Sequence, residues 1–456
     1  AAVRIPALAD TPVRQDAEQR ELATTVEPTA ETAPRAIRLS PAERPAQADL
    51  APSEVDPVQK SAESLVSQPI AMVRTPRAAD RVDTQAAPES KLVPLSGKLE
   101  PGRLTAPPSL FERSVEMRPR LVKAFGGSDE SEAAVAKALR FLAASQERDG
   151  RWSKINKDVR PGKKVRTSDV DVAVTSLATL CYLACQHTHT QDGPYRETVQ
   201  KALDWLIEKQ KDNGDLTDKA GNHSMYNHAI ATLALAEAAG ITGDKKVKAA
   251  AIKAAEFIIY AQNRQHGGWR YTPKHRDGDT SVFGWQVMGL RSAELLGLKI
   301  PGQTRRGARK WLAYCSSGKG NILAAYQRGK PTPVMTAEAV FSRILLGESL
   351  SEQQVQTAAK FIFSRGPTRE KNYYYWYYGS LALMQLRDDH WEKWNSQLRD
   401  HLVKRQEGRG RLAGSWEPDG KWANRGGRIY STAMATMTLE VYYRYLPMLK
   451  AHDTEN

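Results

Sequence analysis

Two kinds of apolar segment alternate along residues 126–456. In the first kind, only one side of the predicted helix is apolar: Leu203 and Leu206 share a face, while Lys201 and Asp204 lie on the other. Such a helix packs one stripe against a core and leaves the opposite side in water. The pattern therefore predicts helices on the outside of the fold.

The second kind of segment is apolar nearly all round. It occurs at 172–183, 229–239, 282–296, 334–346, 373–386 and 430–445. A helix without a polar face has to be covered on every side. Six half-exposed helices that alternate with six covered ones close most simply into two concentric rings. We therefore predict an all-α fold, a single (α/α)6 toroid of twelve helices.

A short repeated pattern marks the half-exposed helices. The first copy has Phe141, then Gln146 five residues later, and Gly150-Arg151-Trp152 at its end. Further copies lie at 201–216 and 254–269, and weaker ones begin near 307, 358 and 401. Repetition at this spacing is typical of folds built from one stacked supersecondary unit.

The pattern Lys-Ala-x-x-aromatic-Leu-x3-Gln-x3-Gly-x-Trp resembles the QW repeat of squalene and terpenoid cyclases, which are related to protein prenyltransferase β subunits. The resemblance covers roughly residues 130–446 and implies the α/α toroid. It also implies a structural role for two pairs, Gln146 with Trp152 and Gln262 with Trp269. In such repeats the glutamine bonds to the backbone at the start of a neighbouring helix.

The resemblance suggests a proton donor as well. Squalene–hopene cyclases protonate an alkene with the middle acid of an Asp-x-Asp-Asp-Thr-Ala motif, and this chain reads Asp169-Val170-Asp171-Val172-Ala173 at the equivalent place. Asp171 then matches the donor and Asp169 its neighbour, but Val172 replaces the fourth residue. A cluster of carboxylates keeps one acid protonated while the others stabilise the departure of its proton, so the replacement weakens the cluster. The alternative is that Ser168 and Asp169 cap the following helix.

Protein prenyltransferases hold a zinc ion with Asp, Cys and His. Asp279 matches the aspartate, but Ser281 stands where the thiolate would be. A neutral hydroxyl is a poor zinc ligand, so we predict no metal and no cofactor. Asp279 stays a candidate catalytic carboxylate, and Asp279-Thr280 is equally typical of a helix N-cap.

The inner helices of a toroid all begin on one rim, so their first turns meet at a central mouth. Candidate ligand-binding side chains in or near those turns are His223, Tyr226, His228, Trp285, Glu338, Tyr375, Trp376 and Tyr430. Aromatic faces can stabilise a carbocation, which suits polyene chemistry. The aromatic run 373–378 spans more than one helical turn, so several of its rings must pack between helices.

The N-terminal part has a different composition. Residues 1–120 hold 16 of the 25 prolines, no Trp and no Tyr, and carry 16 Lys/Arg against 17 Asp/Glu. Such a segment buries too little apolar area to fold. We therefore predict a disordered Pro/Ala-rich tail over 1–125 and the toroid over 126–456.

The remaining residues carry 50 Lys/Arg against 35 Asp/Glu. This excess favours an anionic partner, alongside the apolar isoprenoid that the resemblance implies. We find no nucleic-acid motif and no apolar run long enough to span a bilayer. Cys181, Cys185 and Cys315 are too few for a disulfide framework and are expected to be buried thiols. The long spacer and the missing initiator Met favour the cell envelope, and the oligomeric state stays open.

Three functions fit this sequence. The first is a cyclase-like enzyme or isoprenoid-binding protein that uses Asp171, assisted by Asp169, in an aromatic cavity. The second is a non-catalytic binding or scaffold toroid on a disordered spacer. The third is a carbohydrate-active α/α barrel with a carboxylate pair drawn from Asp171, Asp279 and Glu338. The centre of the ring distinguishes them, because a filled centre favours the second function.

Overall fold

The computed structural model describes residues 117–153, 170–218 and 220–444. Most of the predicted tail therefore lies outside the described residues, as do Ser168 and Asp169. Helices dominate the described part. Its β structure is one antiparallel pair, in which Ser316 is opposite Ala324 and Ser317 is opposite Leu323.

The described helices follow one another with short connections on one rim and long ones on the other. In chain order they are α1 (Met117–Ala124), α2 (Asp129–Ala144), α3 (Asp171–Ala184), α4 (Arg196–Lys209), α5 (Ser224–Thr242), α6 (Lys245–Ala261), α7 (Thr280–Leu295), α8 (Gly302–Cys315), α9 (Pro333–Leu345), α10 (Glu352–Phe363), α11 (Tyr373–Leu386), α12 (Asp389–Arg405), α13 (Ala423–Leu439) and α14 (Val441–Arg444). Strands β1 (Ser316–Ser317) and β2 (Leu323–Ala324) lie between α8 and α9.

The odd-numbered helices from α3 to α13 form the inner ring. Each contacts the next, and α13 contacts α3, so the ring closes. All fourteen residues of α11 are buried, whereas α10 on the outside buries only Ala358, Ala359 and Ile362. The predicted (α/α)6 toroid is therefore confirmed, and the difference in hydrophobic pattern is what separates its two layers.

The ends of the fold differ from the predicted pattern. Helix α13 has a kink at Gly427, whose backbone is not helical (φ 68°, ψ −162°), so a short turn at 423–426 precedes the main helix near the predicted 430. Helix α1 lies within the segment predicted as tail. Its Leu121 and Val122 are buried, and its Arg118 guanidinium lies 4.6 Å from the centre of the Tyr443 ring.

The glutamines of the repeat connect neighbouring outer helices. Gln146 donates through Nε2 to the carbonyl of Thr198 (2.9 Å), at the start of α4. Gln262 donates in the same way to Thr304 (3.0 Å), at the start of α8. A side-chain amide thus satisfies a backbone carbonyl across each unit boundary and fixes the spacing of adjacent units.

The last unit is joined to the first by the same device. Gln406 donates to the carbonyl of Ala134 in α2 (2.7 Å), across 272 residues of sequence. Beside it, Gly414 has a left-handed backbone (φ 92°), and a Cβ there would lie 2.2 Å from the carbonyl oxygen of Lys137. Only glycine permits this close approach of two backbones.

Candidate functional site

The first turn of α7 holds a buried carboxylate at the mouth of the ring. Asp279 is the N-cap of α7 and accepts a hydrogen bond from the backbone N–H of Val282 (2.9 Å). Its Oδ1 also accepts from the Ser281 hydroxyl (2.6 Å), and its Oδ2 accepts from the Tyr326 hydroxyl (2.8 Å). Asp279 therefore makes the predicted N-cap bond, and its carboxylate also accepts two hydrogen bonds from side chains.

Two more tyrosines extend this network outward. The Tyr226 hydroxyl lies 2.6 Å from the Ser281 hydroxyl, and the Tyr271 hydroxyl contacts that of Tyr326. Asp279 is fully buried, whereas the four side chains above it are half-buried. We call Tyr226, Tyr271, Ser281 and Tyr326, with Asp279 beneath them, the tyrosine cup.

The hydrogen bonds of the cup fix the direction of its protons. Ser281 and Tyr326 each donate their one hydroxyl proton to Asp279, so Tyr226 donates to Ser281 and Tyr271 donates to Tyr326. Burial raises the pKa of Asp279, while the bonds from these donors act in the opposite direction. The hydroxyl protons of Tyr226 and Tyr271 are therefore both used within the cup.

A second buried carboxyl, that of Glu338, lies beside the cup. Its Oε1 accepts from the backbone N–H of Gly284 (3.1 Å), and both oxygens lie 2.9 Å from the Tyr374 hydroxyl. That hydroxyl also lies 2.6 Å from the carbonyl of Ser281. One phenol proton cannot serve both partners, so a protonated Glu338 that donates to Tyr374 satisfies every contact. Burial, reinforced by the charge of Asp279, raises the pKa of Glu338 well above its usual range.

Aromatic side chains fill the hole below the cup. The Trp285 ring stacks on Tyr377, with centroids 5.7 Å apart, and meets Tyr374 and Tyr378 edge-on at 6.4 and 5.6 Å. Trp285 is 2% exposed, and Tyr377 and Tyr378 are 0% exposed. Side chains that lined a water-filled cavity would keep accessible surface, so these rings pack directly against one another.

Asp171 has different surroundings. It is the first residue of α3, accepts from the Ser153 hydroxyl (2.9 Å) and pairs with Nε of Arg151 (3.3 Å). Its side chain is 23% exposed. The carboxylate is therefore in contact with a guanidinium and a hydroxyl at the start of α3. Val170 is the N-cap of α3 and makes no side-chain cap bond, and Asp169 lies outside the described residues.

His228 is held entirely by backbone groups. Its Nδ1 accepts from the N–H of Leu216 (3.1 Å), and its Nε2 lies 2.9 Å from the carbonyl of Ala254. Burial lowers its pKa to about 4. In the first unit, Thr175 accepts from the N–H of Trp152 in the same way (2.9 Å). His228 therefore occupies the position that Thr175 occupies in the first unit. Both of its ring nitrogens already have a backbone partner.

The other predicted site residues divide between the mouth and the helix interfaces. Tyr375 donates to a carbonyl of α10, and the Trp376 indole donates to the carbonyl of Pro367 (2.5 Å). Tyr375 therefore attaches α11 to α10, and Trp376 attaches it to the connection 364–372. We leave both residues and His228 out of the site proposed below. His223 and Tyr430 are half-buried at the start of α5 and in α13.

The sequence patterns did not identify Tyr271 or Tyr326. Both lie in long connections, where helical periodicity carries no information about side-chain position. Among the described residues no three His, Cys, Asp or Glu side chains converge as a metal site. None of the helices in the described ranges is both long and apolar enough to cross a membrane.

A comparison with protein families supports the α/α toroid. Residues 120–229, which run from α1 into α5, match the family of the squalene-hopene cyclase C-terminal domain. The fold is thus a squalene cyclase-like α/α toroid, as the repeats indicated. No curated protein matches the chain.

Several solved structures are similar to the chain at low identity. An α-amylase from Clostridium perfringens is 12% identical with a TM-score of 0.49, and covers 68% of this chain and 98% of its own. An α-1,6-mannanase from Salegentibacter is 12% identical at TM-score 0.48, over 69% and 99%. A type II terpene cyclase from Scytonema is 14% identical at TM-score 0.43, over 69% and 98%. At these values the similarity supports no statement about activity.

Proposed function

We propose that the protein is a non-catalytic binding toroid that receives a ligand in the tyrosine cup and not in the hole of the ring. The observation that carries this proposal is the aromatic packing around Trp285, which fills the space that a long polyene would need. Asp171 supports it as well, because its carboxylate is engaged by Arg151 and by the Ser153 hydroxyl.

The proton directions in the cup define the class of ligand. The Tyr226 hydroxyl donates its proton to Ser281, so its oxygen can accept a hydrogen bond from a ligand. The carboxylate of Asp279 beneath them adds negative potential. The fitting ligand is one with a hydroxyl or ammonium group to donate. An isoprenoid would meet the cup through such a head group, with its chain outside the ring.

Acid catalysis is the second candidate. It is favoured by two buried carboxyl groups with different surroundings. Asp279 accepts three hydrogen bonds, whereas a protonated Glu338 donates to the Tyr374 hydroxyl. Such a pair separates acid and base roles. A carboxyl group with a raised pKa is too weak an acid for a carbon–carbon double bond, so the fitting substrate would have an oxygen leaving group, as in a glycoside.

One set of assays tests these alternatives. The protein is incubated with squalene, geranylgeraniol and a panel of oligosaccharides, with product analysis and thermal-shift measurement in parallel. We expect a rise in Tm with hydroxyl-bearing ligands, loss of that rise in Tyr226→Phe, and no product. A cyclised polyene that disappears in Asp171→Asn would refute the proposal. A cleaved glycan that disappears in Asp279→Asn would establish the second candidate.

The Trp285→Ala variant tests the filled hole directly. Removing this ring should lower the free energy of unfolding by about 3–5 kcal/mol. It should also create an apolar cavity that takes up a small hydrophobic dye, and the wild type should not bind this dye. Equal dye binding by both proteins would show that the hole is already open.

A further inference from the structure

The two rims of the ring differ in charge. The long connections 262–279, 316–332, 364–372 and 406–422, on the upper rim where the inner helices begin, carry thirteen Lys/Arg against six Asp/Glu. We call these four connections the basic arc. The short connections of the opposite rim, 185–195, 243–244, 296–301, 346–351 and 387–388, carry two against four. The described stretches of the other two upper-rim connections, 145–153 and 210–218, carry three Lys/Arg against five Asp/Glu. The positive charge is therefore concentrated on the basic arc of the upper rim.

Exposure increases this contrast. Twelve of the thirteen cations in the arc are exposed and Arg270 is buried. Of the six acids, Glu417 is exposed, Asp279 is buried and the other four are half-buried. Asp419 is half-buried and is already neutralised by Lys371 and by Arg405 (2.6 Å). A solvent-facing anion would thus meet mainly positive groups.

The arc also carries the exposed aromatic surface. The three large hydrophobic side chains exposed in the described structure all belong to it or to the helix ends that lead into it: Tyr260 (56%), Tyr314 (40%) and Trp422 (41%). Each has a cation over its ring: Lys274 at 3.5 Å, Arg328 at 5.8 Å and Lys421 at 5.8 Å from the respective centroid. Amphipathic rings next to cations are typical of membrane interfaces.

The backbone holds Trp422 outside. This residue has a left-handed conformation (φ 68°), which is disfavoured for any side chain with a Cβ. Two residues earlier, Gly420 packs so closely that a Cβ would lie 2.2 Å from the carbonyl oxygen of Lys371, and the following Ala423 is fully buried. Both neighbours are fixed, so the loop directs the indole into solvent.

We infer that the basic arc docks on an anionic lipid surface, with these three rings in the headgroup layer. The four connections lie on one rim, so a flat partner contacts them all at once. Clustered Lys and Arg attract anionic headgroups, and Tyr and Trp rings settle at headgroup depth. The connections of the arc also contain Tyr271, Asp279 and Tyr326 of the tyrosine cup, but the exposed cations and rings that carry this inference are other side chains.

Vesicle cosedimentation tests the docking. The full chain should sediment with vesicles of phosphatidylcholine and phosphatidylserine but not with phosphatidylcholine alone, and salt should weaken the binding. Reversing three charges with Lys274→Glu, Arg328→Glu and Lys421→Glu should weaken it about 100-fold. The matched control Lys245→Glu, Lys248→Glu and Lys299→Glu changes the net charge equally, near the other rim, and should retain most of the binding.

Tryptophan fluorescence tests whether the basic arc is the side of the protein that faces the vesicle. The other nine tryptophans are at most 8% exposed, so quenching by brominated lipid reports on Trp422. We expect quenching on phosphatidylserine vesicles and its loss in Trp422→Phe. Equal loss of binding in both triple variants would overturn the inference. Binding to heparin or RNA without binding to vesicles would overturn it too, in favour of an anionic polymer.

Discussion

The two ends of the ring bury their acids in different ways. At the lower end, where the inner helices finish, Glu237 pairs with Arg444 at 2.8 Å, and both side chains are fully buried. At the upper end, Asp279 is equally buried but is held by hydroxyl groups and a backbone N–H. An opposite charge cancels the field of a carboxylate, whereas hydroxyl dipoles only stabilise it. The acid at the lower end is therefore paired directly with a guanidinium, whereas Asp279 is held by hydroxyl groups and a backbone N–H, and the charge of the nearby buried Arg270 also lowers its pKa.

A further acid distinguishes the lower end. Glu440 is buried, its Oε1 accepts from the Cys185 thiol (3.3 Å), and its Oε2 has no hydrogen-bond partner. Burial raises its pKa to about 8, against the opposing effect of Arg444. The lower end thus contains one fully paired acid and one that is neutral over much of the physiological range.

Breaking the lower ion pair should have the largest effect. In Arg444→Met, Glu237 stays buried without its partner, which should lower the free energy of unfolding by about 3–5 kcal/mol. Urea unfolding measures this loss. The double variant with Glu237→Gln should recover much of it, because no unpaired charge remains. A single variant as stable as the wild type would remove the contrast between the two ends.

The pH dependence of stability sharpens the same comparison. The folded-state pKa of Glu440 is about 8, above its unfolded value, so its contribution is complete at acidic pH and is lost as pH rises. Stability should therefore fall by a few kcal/mol between about pH 5 and pH 8. Thermal unfolding of wild type and Glu440→Gln measures this, and the variant should have the flatter profile. Equal slopes would assign the effect to other groups.

The upper end should respond least. Asp279→Asn keeps the cap but places an amide against the Tyr326 or Ser281 hydroxyl, which should cost about 1–2 kcal/mol. Asp171→Asn removes only a partly exposed ion pair and should change stability by less than about 1 kcal/mol. Chemical unfolding of both variants checks this order. A larger loss for Asp171→Asn would give that residue the structural role assigned here to Asp279.

The predictions from sequence succeeded where position along a helix decides the environment. Segments that are apolar on all sides could only be inner helices, and Asp279 stood out because it precedes one of them. Tyr271 and Tyr326 were missed because loop geometry, not periodicity, brings them to Asp279. The pair Glu237 and Arg444 is separated by 207 residues, so no local pattern could reveal it.

The hydrogen bond from Gln406 to Ala134 has a consequence for folding. In an open array of repeats an end unit has one neighbour, and the array can unravel from its ends. Here every unit has two neighbours, so no unit is an end from which fraying can start. Loss of any one unit would disrupt two interfaces, and we expect the described ring to unfold in a single cooperative step.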